Sequence, residues 1–254
     1  MTKKQWEAFC EYRNQLKNYC NEWMKFSKDL EPLQKKAAEG NTPEYPIETA
    51  VVYNTAYDDF TEDDEINLIV IGDNPGKDEQ LKKNNKYLVG QSGKIAAGFF
   101  ARNPELKTDF RKNVIIMNKT PVHTAKTTHL KYLMKNGGDQ IKNLILDSQK
   151  KMATMAAELH QNLLAEKGDR SVPTQLWLVG YAELKEKGIF TPYRECLKSS
   201  YKTDSAWDKV FVYQHFSMNR FLVDLKDFRA KNPQYNLVEA LENLGRMHRD
   251  EIFV

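Results

Sequence analysis

Four short apolar runs decide what this chain can fold into. They lie at residues 67–71 (NLIVI), 113–117 (NVIIM), 175–179 (QLWLV) and 209–213 (KVFVY). Each is rich in Ile, Val or Leu and poor in charge, as a strand buried on both faces of a parallel sheet must be. Helical patterns lie around and between them, at 93–102, 140–167, 181–187 and 192–201. A last helix is expected from about Asn236, with Glu239 three residues on in a capping-box arrangement. Strands alternating with helices predict a parallel sheet covered on both sides. The expected fold is an α/β three-layer sandwich (α/β/α) with a central four-stranded parallel sheet. Asn136-Gly137-Gly138 reads as a turn inside it and not as a domain boundary.

Residues 3–39 read as helical, with Trp6, Phe9, Leu16, Tyr19, Trp23 and Leu30 at helical spacing and Gly40 as the stop. That aromatic stripe is weighed as core packing ahead of a binding face. The organisation expected is one domain over residues 1–254, with residues 1–45 as an N-terminal helical extension.

Composition narrows the class. With 41% hydrophobic and 29% charged residues the chain is expected to be soluble and globular. No apolar run approaches the length of a membrane helix, and the first residues lack the apolar centre of a signal peptide. The three cysteines, Cys10, Cys20 and Cys196, suit neither a disulfide framework nor a zinc site. A cytoplasmic location is therefore expected, with no metal and no cofactor. A net charge of +3 is compatible with DNA binding without demonstrating it.

In open parallel sheets ligands bind beyond the carboxyl ends of the strands, so the residues after each run carry the functional reading. After the first come Gly72-Asp73-Asn74-Pro75-Gly76, where Asp73 could stabilise positive charge or activate a water and Asn74 could position that water. Asp, Asn, Pro and Gly also suit a plain polar turn. After the second comes Asn118, whose amide can read a base edge or close an Asx turn. After the fourth comes His215, able to donate a hydrogen bond to a leaving group that gains negative charge. Ser217 could cap a following helix or hold a phosphate. His123 is the next best placed histidine.

These segments resemble the uracil-DNA glycosylase superfamily. Residues 68–76 (LIVIGDNPG) are similar to its first motif. Asn74 stands where the single-strand-selective and mismatch-specific branches have their water-positioning Asn, and Asp73 where the iron–sulfur branch has its catalytic Glu. Residues 87–93 (YLVGQSG) resemble the stretch P-F-V-G-x-[AS]-G, NVIIMNK the strand that ends in the base-reading Asn, QLWLVG the third strand, and VFVYQHFSMNR the H-P-S motif. The likeness spans roughly residues 50–225 and leaves the N-terminal helix outside. It departs where Tyr87-Leu88 replace Pro-Phe, where Phe216 replaces the motif proline, and where the cluster cysteines are missing.

The resemblance implies hydrolysis of the N-glycosidic bond of uracil or a related deaminated base in DNA, by base flipping and water attack. In that reading Asp73, Asn74 and His215 are catalytic. Asn118 reads the base, and Tyr87 or Leu88 covers its face. Gly90, Gln91, Ser92 and Ser217 hold phosphates, while Met218, Asn219 and Arg220 either wedge into the duplex or begin a helix packed through Phe221 and Leu222. The partner is DNA, single- or double-stranded, and the protein acts as a monomer. The alternatives are a catalytically inactive member that binds nucleic acid or a protein, and an unrelated α/β hydrolase of free nucleotides or nucleosides.

Overall fold

A computed structural model describes residues 1–165 and 173–253. The helices α1 (Lys3–Trp23) and α2 (Ser27–Ala38) come first, joined by a 3-10 turn at Met24–Phe26. Strand β1 (Leu68–Gly72), helix α3 (Gln91–Arg102) and strand β2 (Val114–Asn118) follow. Then come α4 (His129–Asn136), α5 (Gly138–Ala165) and β3 (Gln175–Val179). The chain closes with α6 (Thr191–Ser200), α7 (Asp204–Trp207), β4 (Val210–Tyr213), α8 (Arg220–Lys231) and α9 (Leu237–Ile252).

All pairings in the sheet are parallel, in the order β2-β1-β3-β4. Residues of each strand alternate strictly between two hydrophobic clusters. Ile69, Ile71, Ile115, Met117, Leu176, Leu178, Val210 and Val212 face one side. Leu68, Val70, Val114, Ile116, Trp177, Val179, Phe211 and Tyr213 face the other. This explains why the runs are apolar without a break: both faces are covered, and each buried aliphatic side chain contributes about 1.5–3 kcal/mol.

Helices α1, α2, α4, α5 and α6 cover the first face. Helices α3, α8 and α9 cover the second. The molecule is thus a three-layer α/β/α sandwich. The N-terminal helices belong to a layer and are not a loose arm. Phe9, Tyr12, Leu16, Cys20, Trp23 and Leu30 are buried in the same cluster as the sheet, so the aromatic stripe is core packing. At the far end of the chain Asn236 caps α9 reciprocally with Glu239, as its sequence predicts.

One expected helix does not form. Residues 181–187 make only the 3-10 turn Tyr181–Leu184. The Glu183 carbonyl accepts its hydrogen bond from the Phe190 N–H at 3.0 Å, so the chain doubles back where a helix would continue. The end of the helix expected at 140–167 lies outside the described residues. Among the described residues no helix is long and apolar enough to cross a membrane.

A candidate active-site cleft

The carboxyl ends of β1, β2 and β3 meet at the switch point between β1 and β3, whose outgoing connections run through α3 and α6 on opposite sides of the sheet. Open α/β sheets bind ligands at such a point. A cleft of about 490 Å³ opens there, lined among others by Asp73, Asn74, Glu79, Leu88, Asn118 and His215.

Asp73 leaves β1 and is tied on both oxygens. Lys119 Nζ donates to Oδ1 at 2.6 Å, and Thr127 Oγ1 donates to Oδ2 at 3.1 Å. Lys119 is wholly buried; it also donates to the carbonyls of Val179 at 2.5 Å and Gly72 at 3.3 Å, and lies over the Phe190 ring. Burial pushes its ammonium below the usual range, opposed by the Asp73 charge. Gly180, at φ +100°, makes room for this pair: a Cβ there would lie 2.3 Å from Asp73 Oδ1.

Asn74 is anchored by its donor end. Its Nδ2 donates to Thr124 Oγ1 at 2.9 Å and to the Val122 carbonyl at 3.2 Å. Its Oδ1 has no partner among the described residues, which leaves an acceptor for a water. The wall behind it is braced from the N-terminal helices. Gln34 Nε2 on α2 donates to the carbonyls of Ala50 at 2.9 Å and His123 at 2.8 Å. His123 Nδ1 donates in turn to the Pro75 carbonyl at 2.9 Å, and the Tyr45 hydroxyl donates to Nε2 at 2.9 Å. Burial pushes this imidazole down to about 4, so it stays neutral and serves as a strut.

His215 follows β4. The Ser217 N–H donates to its Nδ1 at 3.1 Å, and the Ser217 hydroxyl lies 2.8 Å from the same atom. A nitrogen that accepts from an amide carries no proton, so the neutral ring has its proton on Nε2. Burial lowers the imidazole below its usual range, with Asp73 opposing and Lys119 adding to the shift. Among the described residues Nε2 has no partner. His215 thus offers a neutral N–H donor.

Asn118 and Glu79 complete the floor. Asn118 Nδ2 and Glu79 Oε2 are both buried and close no hydrogen bond of good geometry, although the Asn118 side chain lies near enough to act on the Glu79 carboxyl. Burial pushes the Glu79 carboxyl up to about 7, against the pull of the Gly76 and Leu88 backbone amides and the Asn118 side chain. A buried donor and a buried acceptor that neighbour each other without closing a good hydrogen bond are complementary to a ligand edge that carries both groups.

Leu88 lines the cleft with a left-handed backbone, φ +50°. Its carbonyl is held by Arg111 Nη2 at 2.5 Å. Tyr87 points elsewhere: its ring is buried edge-on to Tyr57, and its hydroxyl donates to the Val52 carbonyl at 2.7 Å. Contrary to the sequence expectation, Tyr87 is not placed to cover a base, because its ring is buried in the core and lies outside the cleft lining. Of the expected phosphate contacts Ser92 and Ser217 line the cleft, while Gly90 and Gln91 lead into α3 outside the lining. Met218 and Arg220 line the rim, and Asn219 between them is exposed. Met218 is 79% exposed, so the helix packed through Phe221 starts after it.

Glu79 and Lys119 escape a reading by sequence. Glu79 sits in the charged stretch Lys77-Asp78-Glu79-Gln80, which looks like solvated surface, and nothing local marks Lys119 as buried. Its place directly after a strand-end asparagine is the one available signal. Among the described residues no group of three or more His, Cys, Asp or Glu could hold a metal ion. Comparison with protein-family models, with curated proteins and with solved structures gives no match.

Proposed function

We propose that this protein is a DNA glycosylase of the uracil-DNA glycosylase type, acting as a monomer on uracil or a related deaminated base. The observation that carries the reading is the Asn118 amide, buried in a strand-end cleft without a hydrogen bond of good geometry, in the same lining as the neutral Nε2–H edge of His215. A flipped base would meet Asn118 Nδ2 with a carbonyl oxygen and Glu79 Oε2 with the adjacent N–H, the pattern of a deaminated base. Leu88 would cover its face.

In the reaction a water oxygen bonds to C1′ as the C1′–N bond breaks, and the bonding electron pair leaves with the base. His215 donates a hydrogen bond to the carbonyl oxygen that gains charge. Asn74 Oδ1 accepts from the attacking water, whose released proton passes to solvent. Asp73, held by Lys119 and Thr127, offsets positive charge on the sugar and does not itself take the proton. A second reading, an inactive member that only binds the flipped base, draws on that same engagement of both Asp73 oxygens.

The test is incubation with single- and double-stranded oligonucleotides carrying uracil, xanthine or hypoxanthine, followed by alkali. Strand cleavage is expected, with His215→Ala and Asn118→Ala each slower by about 100-fold or more and Asn74→Ala more damaging than Asp73→Asn. Binding of uracil-containing DNA without product from any substrate would favour the second reading. Neither binding nor product would overturn both.

A further inference from the structure

We propose that the concavity between α4, α5 and residues 187–192 is a track for the phosphate backbone of the strand whose base enters the cleft. The proposal rests on the DNA-directed reading above for its partner. The concavity holds about 670 Å³ and is lined by Lys131, Lys135, Asp139, Lys142 and Lys187. All four lysines are exposed. Lys131 reaches Glu183 at 3.7 Å. Among the described residues Lys135, Lys142 and Lys187 have no ion-pair partner.

Four lysines against one aspartate is a strong local excess in a chain whose net charge is +3. Lys131 and Lys135 stand four residues apart on α4, a spacing at which like charges repel. The free protein therefore maintains a positive field that a polyanion would relieve.

The patch is continuous with the cleft. Thr127, whose hydroxyl donates to Asp73, lies two residues before the start of α4, and Glu183, the partner of Lys131, is in the cleft lining. Six residues at about 1.5 Å each put Lys135 about 9 Å along α4 from His129. Lysines spread in this way act as point charges, which suits a backbone contact that reads no sequence. The track would engage nucleotides flanking the flipped one.

Anisotropy titrations with uracil-free single strands of about 6 and about 20 nucleotides test it. They compare the wild-type protein with K135A/K142A/K187A, in a salt series. The three side chains are exposed and unpaired, so an unchanged Tm is expected and verifies the fold. The variant should lose roughly tenfold or more in affinity for the long strand. Its slope of log K against log salt should fall by about two, from roughly 0.7 per lysine. Cleavage of a short uracil substrate should stay as in the wild type. If the wild type cleaves uracil DNA while the variant keeps the long-strand affinity and slope, the track alone is overturned. Loss of poly-glutamate binding with DNA binding intact would overturn it in favour of an acidic protein partner. A wild type that neither binds nor cleaves DNA removes the glycosylase reading, and the track with it.

Discussion

Glu79 stores free energy in its protonation. Its folded-state pKa is raised from 4.5 to about 7, so the native protein holds a proton that the unfolded chain releases. Its contribution to stability is fully present below pH 4.5 and is lost as pH rises through 7. Glu79→Gln removes this dependence and should make the protein more stable than the wild type at pH 8, by on the order of 2–3 kcal/mol. Urea unfolding at pH 5 and pH 8 measures it, and an equal effect at both pH values would contradict the shift. Glu79 also shows where reading single residues stops. Asp73, Asn74, Asn118 and His215 are legible because each follows an apolar run, and strand ends are where a parallel sheet puts its chemistry. The burial of Glu79 and Lys119 depends on chain segments far apart in sequence. Nothing local distinguishes them from the solvated charges around them.

The elements were legible in proportion to the number of faces they bury. Strands enclosed by helices on both sides have an unbroken apolar signature, and β3 falls on the run that predicts it. The other three begin one residue later than their runs, because Asn67, Asn113 and Lys209 lie just outside the ladder. Short α4 and α7 bury too few residues for a period to stand out, and the 181–187 stretch has helical composition but folds back on the Glu183 carbonyl. The entry to α3 is an element-scale constraint of another kind. A Cβ at Gly93 would lie 1.4 Å from the Leu88 carbonyl oxygen, the same oxygen that Arg111 holds. Gly93→Ala must therefore move either the first turn of α3 or the cleft-lining backbone of Leu88. A loss of 3 kcal/mol or more in urea unfolding is expected, roughly the upper end for a point substitution. A variant as stable as the wild type would show that this junction is not held as tightly as the close approach requires.

For the molecule as a whole, the buried titratable groups oppose one another. His123 and His160 are both pushed down to about 4 by burial, so the unfolded chain takes up protons there that the native chain refuses. Their contribution is present above pH 6.5 and is lost as pH falls towards 4. Between pH 4.5 and 6.5 the two histidines act against the raised carboxyls of Glu79 and Asp224, and His215 and His129 are shifted in the same sense as the pair. Stability should therefore climb from pH 4.5 to a maximum near 6.5, and fall again as Glu79 ionises. Urea midpoints across this range measure it; a midpoint that is flat or declines between pH 4.5 and 6.5 would refute it. The strut from Gln34 through His123 to Pro75 has a consequence on the same scale. It makes the helical layer before the first strand a foundation for the cleft, so the residues that set the position of Asn74 include one that lies forty positions upstream. Evolutionary or engineered change in α2 would then reach the geometry of the cleft as well as the packing of its own layer.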